Sequence, residues 1–475
     1  MSDVWIIRGM LVARTPVHVG SVRGGMVDMP VARNGQGRIY VPGTSLAGAL
    51  RAWCEDHFEA DVVRTLWGFV AAGQTDTGRA SQLLVRDCDI RMPGDLTVEV
   101  RDHVSIDRFS GTAGDRLKFD REVLPRGTEI DIELELASDD LRLHAVVGHM
   151  LQAVASDGLR LGGATRRGLG CLDLKGKWRV EHRALSSKAS LLARLRGQPG
   201  PASDVRQLIA ADAGVQPRQA RVMSMTLSWS PESPLMVKAP YEGIAVDGLP
   251  LVSGHEGGLA LVLPGSSIRG VMRSCADRIM RTLLGSNDSW SPVGAVPLVD
   301  ELFGTTERAG AVSIRDVYGK PVAAAAWRRV ENARTKEELL HGLAEAHLAH
   351  EVGEHVAIDR WTSAPAEGLL FSSLEPSGVA WDPMLVRVEL ARLSNERPAL
   401  SLLAMVLREF AAGHLSFGHG TNRGYGWTRL DSVSTRSPRD NGPWPEAMTR
   451  ADIIAGAVFA GLQQGWVEYL DGGAA

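Results

Sequence analysis

Cysteine is scarce in this 475-residue chain and is spaced for neither of its structural uses. The four residues, Cys54, Cys88, Cys171 and Cys275, form no Cys-x-x-Cys pair and no Cys/His cluster. That argues against a zinc site and a disulfide scaffold, and it suits a reducing compartment. A run of about 18 apolar residues is also missing, so no membrane-spanning helix is expected. Positive charge is not in excess: 52 Lys and Arg stand against 56 Asp and Glu, a formal net charge of −4. A uniformly basic surface is thereby excluded, and contact with nucleic acid would have to use local patches. The opening stretch "MSDVWIIRGMLVARTP" is too short and too quickly charged for a secretory signal. It reads as a buried strand, and a cytoplasmic location is the expectation.

What the chain does have is a repeat. "VPGTSLAGALR" (Val41 to Arg51) returns as "LPGSSIRGVMR" (Leu263 to Arg273). Other landmarks recur in the same order: "RTPVHVG" and "ESPLMVK", "LWGF" and "LFGT", "LLVRDCDI" and "VSIRDVYG", "HVSIDRF" and "HVAIDRW", "LGGATRRGLGCLDL" and "FGHGTNRGYGWTRL". The offset between partners grows in one direction, from 222 at the prolines to 229 at Arg86/Arg315, 252 at Arg108/Arg360 and 256 at Arg167/Arg423. Loop insertions in the second copy would produce that drift, and chance matches would not keep their order.

Each copy alternates short β-branched runs with amphipathic stretches. "VWIIRGMLVAR" and "RVMSMTLSWS" open as strands. A helix follows each Pro-Gly turn, with Thr44/Ser45 and Ser266/Ser267 placed to cap it and Leu46, Leu50 and Trp53, or Ile268, Met272, Cys275 and Ile279, along one face. "DIELELA" and "MLVRVELA" read as strands before a second helix, and a glycine-rich loop leads into the last strand. The pattern predicts an α+β fold of two tandem ferredoxin-like (RRM-like) domains, residues 1–185 and 222–432. The Gly/Pro/Ser-rich stretch "LRGQPGPASDV" sits in a linker over 186–221. Residues 433–475 read as a helical tail, with Ile453, Ile454, Val458, Leu462 and Val467 at helical spacing after Pro445.

The glycine-rich loops fit neither a Walker A motif nor a dinucleotide fingerprint, because both of those sit between a strand and a helix. Either they are tight turns, or they bring Gly163, Arg166, Arg167, Gly420, Asn422 and Arg423 close to a phosphate. The helix starts at Thr44, Ser45, Ser266, Ser267 and Arg269 offer free amides to an anion, though capping alone would explain the hydroxyls. His18 is a further candidate for RNA contact, but Met236 stands in its place in the second copy. His103 and His355 do recur.

From Val104 to Leu136 the chain resembles the RAMP superfamily, in particular the Cas-seven-type backbone subunits of type III CRISPR effectors. The resemblance rests on Ile-Asp-Arg, a Thr/Ser-Gly-x-Ala step, an aromatic, Glu-x-Leu-Pro-x-Gly-Thr and a following strand, together with the Pro-Gly-Ser/Thr helix starts and the terminal glycine loops. It covers most of residues 4–175 and 224–430 and is closest to a fused, III-D-like double subunit. The second copy keeps Ile358, Asp359 and Arg360 but continues differently, with "WTSAPAEGLLFSSLEPSG".

The resemblance implies two RAMP domains with inserted thumb hairpins, roughly Asp107 to Arg126 and Asp359 to Ser377, that grip a guide RNA in segments of about six nucleotides. Arg108, Phe109, Arg360 and Trp361 would meet RNA, with Phe119 and Phe371 either wedges or core. It further implies cleavage of paired target RNA at two places, with Asp28 and Asp247 as the catalytic acids and a transient Mg²⁺ or other divalent cation. The other subunits of such a complex, the guide and a single-stranded target RNA are the implied partners. The rival readings are a guide-RNA scaffold with idle acids, a CRISPR precursor-RNA endonuclease that uses a histidine, and a generic RNA-binding module.

Overall fold

The strand Val4–Ala13 sits between two antiparallel partners: Glu129–Ala137 on one edge and Cys171–Arg183 on the other. Leu83–Val85 adds to the far side of Glu129–Ala137. In chain order these are the first, third, fourth and second strands, so the sheet runs fourth–first–third–second, which fits a ferredoxin-like βαββαβ unit. The computed structural model describes residues 3–21, 27–70, 78–106, 113–183, 188–198, 200–209, 214–255, 257–284, 296–348, 350–437 and 444–472.

Alternation makes the sheet amphipathic. In Glu129–Ala137, Ile130, Ile132, Leu134 and Leu136 are buried, while the intervening acids point the other way. The buried row meets the helices Gly43–His57, through Leu46, Leu50 and Cys54, and Leu141–Asp157, through Leu143, Val146, Val147 and Met150. One core therefore fills the space between sheet and helices.

The second copy repeats the order with Val222–Pro231 between Met384–Glu389 and Thr428–Arg436, and with Val312–Ile314 outside Met384–Glu389. Its helices are Gly265–Leu283 and Glu396–Ala411, which share a core with Met223, Met225 and Leu227 of the sheet. The offset jump from 229 to 252 coincides with two extra helices, Ala324–Asn332 and Lys336–Glu345, packed around fully buried Trp327.

Three expectations need correction. The tail is no single helix: Ala447–Thr449 forms an edge strand on Thr428–Arg436, and the helices Arg450–Ala455 and Gln463–Gly472 are separated at Gly456, whose φ is +79°. Trp444, Met448, Ile453, Val458, Leu462 and Trp466 are buried in the second core, whereas Ile454 and Val467 face solvent. The presumed linker also carries structure. Ala202–Ser203 pairs with Cys171–Arg183, and Leu208 is fully buried in the first core. Finally, the compact units do not follow the copies strictly. One comprises Met1–Glu99, Arg121–Thr165 and Leu169–Ala220; the other comprises Val100–Asp120, Arg166–Gly168 and Arg221–Ala475.

Candidate functional site

The Pro-Gly helices begin at Gly43 and Gly265, and no side-chain cap from Thr44, Ser45, Ser266 or Ser267 is made. A distant carboxylate takes that place. Asp87 Oδ1 accepts from the Gly43 amide at 2.7 Å, and Asp316 Oδ1 accepts from Gly265 at 2.9 Å. Both acids come from the recurring Arg-Asp step after the second strand. A carboxylate at a helix N-terminus satisfies an orphan amide and opposes the positive end of the dipole. At these first amides the anion is thus the protein's own. Arg269, expected to meet RNA, is instead turned to the carbonyls of Phe303 and Val312. Burial and the neighbouring Arg167, Arg273 and Arg166 push its pKa down to about 10.

The glycine loops are shaped by close backbone approach. A Cβ on Gly162 or Gly418 would lie 2.1 or 2.2 Å from the carbonyl oxygen of His18 or Met236 respectively. The next amide in each loop binds that same oxygen: Gly163 N to His18 O at 2.8 Å, and His419 N to Met236 O at 2.7 Å. The loops are therefore tight turns locked to the strand exit. Their cations are used differently. Arg166 is half-buried and paired with Glu389 at 2.7 Å. Arg167, Asn422 and Arg423 are exposed. Gly420 adopts φ +75°, and Arg423 lies 5.0 Å above the Phe371 ring while its Nη2 meets His419 Nε2 at 2.9 Å.

The hairpins are longer than expected and start earlier, as Glu99–Ile106 with Ala113–Val123, and His350–Ile358 with Pro365–Pro376. Arg108 and Phe109 lie outside the described residues. At the second tip Asp359 organises the turn: its carboxylate accepts from the amides of Trp361 and Thr362, which holds it below the ordinary carboxylate range, the Thr362 amide contributing most. Arg360 and Trp361 are exposed there, the indole 95% so. Phe371 is no core residue, since it is 38% exposed with its ring 5.1 Å from that of His355. Phe119 stacks on His103 at 5.0 Å in the corresponding place.

The two acids chosen from sequence occupy equivalent positions. Met29, next to Asp28, bridges in parallel to Arg121; Gly248, next to Asp247, bridges in parallel to Ser373. The Glu122 amide donates to Met29 O at 3.0 Å and the Leu374 amide to Gly248 O at 2.9 Å. Each acid is exposed and is tethered by its neighbour to the returning strand of a hairpin, at the hairpin's base. Asp247 Oδ2 accepts from the Ser372 amide at 2.7 Å and its hydroxyl at 3.0 Å, and the amide bond foremost lowers its pKa. Around it opens a cavity of about 190 Å³ lined by Lys238, Phe371, Ser373 and His419 among others.

In the first copy the imidazole of His18, 7% exposed, has Nδ1 at 2.7 Å from Glu122 O, the residue whose amide holds Met29. Its pKa is lowered chiefly by burial. In the second, buried Glu375 gathers Tyr425 OH at 2.5 Å and His355 Nε2 at 3.1 Å. Burial, then Glu375, pushes the Tyr425 phenol up to about 12. Lys238, Ser372, Glu375, His419 and Tyr425 were missed from sequence. The last two stand in the glycine loop already singled out, but nothing in their spacing told them from turn residues.

Among the described residues, no three His, Cys, Asp or Glu side chains gather as metal ligands.

The sequence profile of the RAMP superfamily matches residues 10–173 and 250–429. No curated protein matches the chain.

Proposed function

The chain belongs to the RAMP superfamily, a family of CRISPR-associated RNA-binding proteins, and on that premise we propose that it is a double backbone subunit of a type III effector. In this reading each copy holds one segment of a guide RNA and presents one acid to the paired target. The observation that carries it is the shared register, Met29 on Arg121 and Gly248 on Ser373, which sets Asp28 and Asp247 at matching hairpin bases.

The chemistry suits isolated acids. A target nucleotide pushed out of its stack by the hairpin can place its ribose 2′-oxygen in line with the adjacent phosphorus. The 2′-oxygen forms the new P–O bond and gives its proton to water, the bond from phosphorus to the 5′-oxygen breaks, and the departing oxygen takes a proton from water, so the products are a 2′,3′-cyclic phosphate and a 5′-hydroxyl. Asp247, ionised and fixed by Ser372, is a better hydrogen-bond acceptor for the 2′-hydroxyl than a strong base, because its pKa is lowered. Deoxyribose lacks the nucleophile, so DNA targets would remain whole.

Sequencing the RNA that co-purifies with the chain tests the guide; repeat-derived small RNAs are expected, and their absence overturns the reading. Asp28→Asn and Asp247→Asn test the chemistry in the assembled complex. Each is expected to remove one of two cuts about six nucleotides apart, the spacing implied by the family resemblance, without loss of RNA. If both variants cut like the parent, the scaffold reading replaces the enzyme.

A further inference from the structure

Each copy carries an imidazole where its glycine loop closes onto the strand exit, but from opposite partners of one hydrogen-bonded backbone pair. In the first copy His18 faces Gly163; in the second Met236 faces His419. The exchange has a steric reason. A Cβ on Gly163 would come 3.1 Å from His18 Cδ2, tighter than ordinary contact, so a side chain at 163 would compete with the imidazole for space. With Met236 buried in the strand exit of the second copy, the loop position is open for His419.

His419 is placed beside the acid. It lines the same cavity as Asp247, Lys238, Phe371 and Ser373. Arg423 Nη2 meets its Nε2 at 2.9 Å, and a guanidinium can only donate, so Nε2 is the acceptor and Nδ1 carries the hydrogen. We infer that His419 is a catalytic residue for the second cut, donating from Nδ1 to the target phosphodiester while Asp247 accepts the hydrogen bond of the 2′-hydroxyl. Lys238, which is ion-paired to Glu242 at 3.3 Å, lines the same cavity, and Phe371 beside it carries Arg423 over its ring. Although the His419 side chain as a whole is exposed, local desolvation, then Arg423, Lys238 and His355, lowers its pKa, which disfavours the charged ring. This inference rests on the cleavage reading above and adds a residue that the loss of His18 at position 236 seemed to rule out.

The test uses the full chain assembled with its guide and a target RNA labelled at one end, so that the two cuts give separate bands. His419→Ala should slow the second cut by on the order of ten- to a hundredfold, the loss expected for a hydrogen bond to a charged group, and leave the first cut unchanged. His419→Asn keeps a donor near the Nδ1 position and should recover most of the rate. Met236→His/His419→Gly, which rebuilds the first copy's arrangement, should also recover it. An unchanged second cut in His419→Ala, beside its loss in Asp247→Asn, overturns the role of His419 and spares the cleavage reading. If Asp247→Asn also cuts normally, the cleavage reading fails by itself. Phosphate-ethylation interference then decides the contact: one protected phosphate lost in His419→Ala supports it, and an unaltered pattern refutes it.

Discussion

The two glycine loops follow one backbone path and carry different chemistry along it. Gly162 and Gly418 meet equivalent carbonyls, those of His18 and Met236, as do Gly170 and Gly426 at Leu161 and Phe417. Yet Arg166 is paired with Glu389, whereas its counterpart Asn422 is exposed, and the imidazole changes sides. The carboxylates that cap the Pro-Gly helices diverge too: Asp87 is exposed, while the Asp316 side chain is fully buried and also binds Arg101 at 2.6 Å. Backbone hydrogen bonds that close a turn leave few substitutions open, because a buried unpaired amide or carbonyl is costly. Side chains that only line a surface are free to drift. Duplication here has kept the frame and diversified its contents.

That contrast can be broken most forcefully at the capping acids. Asp316→Ala takes the carboxylate away from the buried Arg101 guanidinium, which also donates to Ser253, and should cost about 3–5 kcal/mol, while Asp87→Ala should cost only about 1 kcal/mol. Chemical denaturation of both variants measures the gap, and equal losses would mean that the caps are equivalent after all.

Acid titration separates the sites next. The folded pKa values of His18 and His419 lie below the ordinary 6.5, so the unfolded chain takes up protons first as pH falls. Their contribution is therefore complete above about pH 6.5 and is lost as pH drops through the folded values. Melting temperature should fall between pH 7 and 5, less steeply in His18→Gln. An unchanged slope would mean that His18 is not held neutral.

At the alkaline end the Tyr425 phenol, raised to about 12, should resist ionisation. Its contribution is full below the unfolded value of about 10 and disappears as pH rises through the folded value. Ultraviolet titration of Glu375→Gln should show one tyrosine titrating earlier than in the parent. The smallest stability effect is expected at Trp361, which is 95% exposed. Trp361→Ala should change stability by less than about 0.5 kcal/mol while weakening RNA binding, which filter binding would reveal.

Much of the fold was legible because burial has a period. Ile130, Ile132, Leu134 and Leu136 alternate, and Leu46 and Leu50 are four apart, so the strand and helix announced themselves. The tail misled because Ile453, Val458 and Leu462 kept helical spacing across Gly456, where the chain turns into the left-handed region and the helix ends. The serines and threonine after the Pro-Gly turns looked like caps because capping is usually local. The actual partners lie 44 and 51 residues away.

By itself the sequence determined the duplication, the strand-and-helix alternation and the two acids ahead of the Pro-Gly turns, since each is written in local order. Only the tertiary structure decided what those acids stand beside. Ser372 reaches Asp247 from 125 residues away, and His419 enters the same cavity through a loop closed onto Met236. Contacts of that range are fixed by sheet register and by where a tight turn can approach a carbonyl, and neither leaves a spacing that can be read along the chain.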